Sequence, residues 1–93
     1  MTIKEIIDQA EDIKIQDDTN GSEAWMAIQV LGVRKNSNLG KEMIACGFHA
    51  DIYYKGLLYT VFGNLKEKDA KVKFLTEKLT AEGIKVGILD RAL

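Results

Sequence analysis

The sequence predicts an α+β fold of two layers, a mainly antiparallel sheet of three to four strands with two helices on one face. Apolar residues recur at helical spacing near the start and again after residue 64, alternate two by two in between, and change period at Gly- or Asx-rich turns. The expected order is α-β-β-β-α-β, in a single domain covering residues 1–93.

Thr2 followed by Glu5 forms a capping-box pattern, and Ile3, Ile6, Ile7, Ala10 and Ile13 then share one helical face. This predicts an amphipathic helix over 3–13 with Glu5, Asp8, Glu11 and Asp12 on its outer side. The stretch Asp17-Asp18-Thr19-Asn20-Gly21 has turn chemistry and ends it. Residues 25–34 fit either period: Met26, Ile28 and Val30 alternate, while Trp25, Ile28 and Leu31 also suit a helix. The β-branched Ile28, Val30 and Val33 together with Gly32 favour a strand. A polar loop is expected over 35–40.

Residues 42–54 read as a long strand with a bulge at Gly47, and Lys55-Gly56 as a tight turn into a strand over 57–62. Asn64 and Glu67 repeat the capping arrangement. Leu65, Val72, Leu75 and Leu79 then mark one face of a helix running to Gly83, a natural C-cap. Ile84, Val86 and Ile88 alternate in a final short strand.

Of the 93 residues 46% are hydrophobic and 29% charged, the balance of a packed globular chain rather than a disordered one. The apolar run Ala24 to Val33 is far short of the roughly 20 residues a bilayer span needs. Acidic residues stand where a secretory signal requires a basic segment and an unbroken apolar one, and Cys46 is the single cysteine. Both point to a cytoplasmic protein without a membrane role. Net charge is −1, unevenly placed: residues 1–23 hold two lysines against seven carboxylates, and the remainder eleven basic against seven acidic residues, or −5 and +4. Such polarity can orient a partner.

Several chemical constellations fail on inspection. Asp18-x-Asn20-Gly21 resembles the middle of a calcium loop, but Gln16 and Ala27 occupy the anchoring first and twelfth positions. Cys46, His49 and Asp51 include a nucleophile, a base and an acid, yet strand alternation sends Cys46 to the core with Phe48, Ala50 and Ile52 and turns His49, Asp51 and Tyr53 the other way. His49 with Asp51 gives two metal ligands where three or four are needed. Gly63-Asn64-Leu65-Lys66 lacks the glycine spacing of a phosphate loop. No catalytic residue, metal site or cofactor is expected.

The hairpin carries the strongest binding signal. A two-residue turn at Lys55-Gly56 sets Tyr53 against Leu58, Asp51 against Thr60 and His49 against Phe62; a three-residue loop sets them against Leu57, Tyr59 and Val61. In both registers the face of His49, Asp51 and Tyr53 also bears large apolar residues. It is either covered by the first helix or the Trp25 strand, or it is an interface built from His49, Asp51, Tyr53, Leu58, Tyr59 and Phe62. A pocket for a small ligand near His49, Asp51 and Tyr53 is the weaker variant.

Lys68, Ala70 and Lys71 open the second helix, and in these residues the chain resembles a double-stranded-RNA-binding domain, whose last helix begins with a Lys-Lys-x-Ala-Lys motif. The resemblance implies phosphate contacts from Lys66, Lys68 and Lys71. Glu67 stands where the motif's first lysine belongs, the first helix is acidic where that family's reads a groove, and a fourth strand follows. A chain of net −1 is poorly suited to duplex RNA.

The functional expectation is therefore a non-enzymatic, homodimeric module that binds another protein, as small inhibitors and adaptors do. Domains of this kind include many that mobile elements and phages encode to block host proteins. Nucleic-acid binding is the alternative.

Overall fold

The computed structural model describes residues 1–16 and 25–91. The predicted turn at Asp17–Gly21, and with it the calcium-loop pattern, lies outside the described residues. The elements are α1 (Ile3–Glu11), β1 (Trp25–Leu31), α2 (Asn38–Ala45), β2 (His49–Ala50), β3 (Leu57–Val61), α3 (Leu65–Ala81) and β4 (Lys85–Arg91). The strands form one open antiparallel sheet in the order β2-β3-β1-β4. From β1 onward the connectivity is that of a split β-α-β arrangement, with α1 added in front.

The α+β reading, the antiparallel sheet and the placement of the helices on one face hold. A single core joins Ile3, Ile6, Ile7 and Ala10 of α1, Met43 of α2, and Val72, Leu75 and Leu79 of α3 to Met26, Ile28 and Val30 of β1 and Leu57, Tyr59 and Val61 of β3. Each fully buried aliphatic side chain in it stabilises the fold by about 1.5–3 kcal/mol. The N-terminal capping box forms as read: Thr2 Oγ1 accepts from Glu5 N at 3.1 Å while Thr2 N donates to Glu5 Oε1 at 3.2 Å. These contacts hold the Glu5 carboxyl below its usual range.

The described residues hold three helices, and the third corrects the sequence reading. Asn38–Ala45, expected as polar loop and strand, is helical. Ser37 Oγ caps it by accepting from Gly40 N at 3.0 Å. Gly47, at φ +107°, closes it: Gly47 N donates to Ile44 O and Phe48 N to Met43 O, both at 3.1 Å, the paired bonds of a Schellman ending. Gly47 is thus a helix terminator, not a strand bulge. What remains of the predicted 42–54 strand is the two residues His49 and Ala50, opposite Leu58 and Leu57. Neither expected hairpin register occurs, because 51–56 forms a six-residue loop.

Candidate functional site

Strand pairing sorts the sheet into two faces. Met26, Ile28 and Val30 enter the core, so Trp25, Ala27, Gln29 and Leu31 share the opposite face with Leu58 and Thr60 of β3, His49 of β2 and Lys85 of β4. On that outer face Ala27 and Leu58 are nevertheless fully buried. The loop 51–56 folds back over this face. The Tyr54 ring stacks on Trp25 with centroids 6.3 Å apart, and Gln29 Nε2 donates to Lys55 O at 2.7 Å. Gly56, at φ +80°, passes so close to β1 that a Cβ would lie 1.9 Å from Val30 O.

At the tip of this loop Asp51 Oδ1 accepts from Tyr53 N at 2.7 Å, an Asx turn that fixes the reversal. It leaves Ile52 89% and Tyr53 84% exposed. Phe62, just beyond β3, is also largely exposed. The expected interface residues therefore part company. Tyr53 and Phe62 are displayed and His49 is exposed on its edge strand, whereas Asp51 is spent on the turn and Leu58 is buried. Tyr59 points into the core and packs on Phe48 with ring centroids 5.1 Å apart. Ile52, which alternation sent to the core, is the most exposed large apolar residue described; the signal for it was missed because a loop has no two-residue period.

Cys46 caps the end of α2, half-buried against the core rather than in a strand. Burial pushes its thiol up, with the neighbouring Glu42 adding to the effect. It shares a shallow groove of about 390 Å³ with Gly47, His49, Tyr59, Thr60 and Phe62. A larger groove of about 730 Å³ runs between α1 and α2, lined by Ile7, Ala45 and Cys46 and rimmed by Lys4, Asp8 and Glu42. Among the described residues no three His, Cys, Asp or Glu gather as a metal-binding group, and no helix is long and apolar enough to cross a membrane.

The lysines that open α3 are placed unlike phosphate contacts. Lys68 and Lys71 are buried, and Lys66 alone of the three is exposed. Lys71, 3% exposed, donates to Phe62 O at 2.9 Å and lies 3.7 Å from Glu11 Oε2. Glu11 also accepts from the Tyr59 hydroxyl at 2.5 Å. Nearby, Asn64 caps α3 by accepting from Glu67 N and ties down the chain after α1 through Nδ2 to Ile15 O at 2.6 Å. This polar group holds α1 to the β3–α3 junction. It is structural cement at the position where the RNA-binding resemblance implied a contact surface.

No protein-family model, curated protein or solved structure matches the chain.

Proposed function

We propose that this chain is a non-enzymatic protein-binding module that inserts the Ile52–Tyr53 tip into a concave apolar site, on another protein or on a second copy of itself. The exposure of these two side chains, on a loop anchored at both ends, carries the reading. Exposed apolar groups held together at a loop tip are costly to keep in water and are the usual material of interface hot spots. The Asx turn, the Tyr54–Trp25 stack and the Gln29–Lys55 bond restrain the tip before binding, which lowers the ordering cost of association. Tyr53 is the natural anchor, since its ring offers area and its hydroxyl tolerates partial burial.

Placing a photo-crosslinking phenylalanine analogue at position 53 in the native cell tests this. One predominant adduct, to a host protein or to the chain itself, that disappears when Ile52→Asp is added supports the reading. Adducts spread over many proteins and indifferent to Ile52 contradict it.

A further inference from the structure

Three segments meet at the end of the sheet where β1 finishes: the turn 32–37 leading into α2, the close of the loop 51–56, and the start of β4. Leu31 lies opposite Lys85, and Gly56 is packed against Val30. These segments carry Arg34, Lys35, Lys55 and Lys85, and Lys41 follows in the first turn of α2. All five are exposed, and none has a carboxylate within 4.0 Å among the described residues. Two exposed carboxylates, Glu42 and Glu82, border this end, lining a groove with Leu39 and Ile84, and neither pairs with the five cations. Glu82 takes the Met1 ammonium, Asp51 takes Tyr53 N, and Glu42 lines the grooves beside α1. The exposed carboxylates Glu5, Asp8 and Asp12 sit on and just after α1, in the helix layer.

We propose that this end of the sheet binds the phosphodiester backbone of a nucleic acid, independently of base sequence. Five unneutralised cations repel one another, and a polyanion relieves that repulsion while releasing its own counterions. Between the cations stand Asn36, Ser37 and Asn38, all exposed. Cations interleaved with amides and hydroxyls are the side-chain set that contacts phosphates. An acidic protein surface would call for apolar residues at the centre of the contact, and the stretch Arg34 to Asn38 has none. The site lies apart from Lys66, Lys68 and Lys71 and does not rest on the Ile52–Tyr53 reading.

Fluorescence anisotropy with labelled 20-nucleotide oligo-dT and a labelled 20-base-pair duplex tests it across a salt series. Dissociation constants of about 1–100 µM at the lowest salt are expected for one or both probes, with a log–log salt slope of roughly −3 to −4.5, as four or five phosphates imply. Lys35→Glu with Lys85→Glu should weaken binding at least about tenfold, while Lys66→Glu with Lys73→Glu, the same change in net charge elsewhere, should alter it about twofold or less. Circular dichroism confirms that both variants fold. Absence of binding at the lowest salt, or equal loss in the two double variants, overturns the proposal. So does a labelled poly-glutamate peptide bound as tightly with the same dependence on Lys35 and Lys85, which would assign the patch to an acidic protein.

Discussion

The Tyr59 hydroxyl donates to Glu11 Oε1 at 2.5 Å across a sequence separation of 48 residues, and the other Glu11 oxygen faces the buried Lys71. One carboxylate at the end of α1 therefore serves β3 and α3 together. Tyr59→Phe keeps the ring packing on Phe48 and removes only this bond, so it should cost about 1–2 kcal/mol in urea unfolding. A change below about half a kilocalorie would mean that water replaces the phenol at Glu11 without loss.

The same pair gives the protein a signature in alkali. Burial first, and then the bond to Glu11, hold the Tyr59 phenol well above its ordinary value near 10. The unfolded chain releases this proton at lower pH than the folded one. The stabilisation is therefore complete below pH 10 and is lost as pH rises towards the folded value. Denaturant titrations between pH 8 and 11 should show the parent losing more stability than Tyr59→Phe above pH 10. Parallel losses would contradict the assignment.

Trp25 reports on the loop that covers the sheet. Tyr54→Ala removes its stacking partner and loosens the loop over this face of the sheet. The expected result is a red shift of Trp25 emission with a loss of about 1–2 kcal/mol, the scale of an aromatic pair and part of its burial. Unchanged emission would place the loop away from Trp25.

Gly40 lies where α2 presses on the turn before it, and a Cβ there would stand 2.0 Å from Arg34 O. Gly40→Ala should destabilise by about 2 kcal/mol or more, although alanine is the better helix former by about 1 kcal/mol. A neutral or stabilising result would show that Arg34 and Gly40 are not in contact, and that the turn into α2 is built differently.

Most of the fold was legible because its signals are local. Thr2 with Glu5 and Asn64 with Glu67 announced two helices, and the alternation of Met26, Ile28 and Val30 announced β1. The failure at α2 is instructive, since Leu79-x-x-x-Gly83-Ile84 and Met43-x-x-x-Gly47-Phe48 end their helices with the same pair of backbone bonds. Gly83 follows a long periodic run and reads as a cap. Gly47 follows eight residues with only Leu39 and Met43 to mark a face, so β-rich neighbours suggest a bulge. Strand alternation could not say which face Leu58 and Tyr59 would take, because Leu57, Leu58 and Tyr59 are all apolar and all buried. Lys68 and Lys71 lie at helical spacing from Val72 and Leu75, on the core side of α3, but lysine reads as solvated until its partners are known. For Lys71 those partners are Glu11, 60 residues earlier, and the carbonyl of Phe62.

The central claim is that the Ile52–Tyr53 tip is a binding surface and not a piece of the fold, and Tyr53→Asp tests it most directly. Thermal melting and sedimentation velocity on the same preparation, alone and with the protein captured by crosslinking, separate the possibilities. A variant that melts within about 2 °C of the parent and loses self-association or partner affinity by about thirtyfold, near 2 kcal/mol, is the predicted result. An unfolded variant would make Tyr53 part of the core, and a folded one that binds unchanged would place the interface elsewhere.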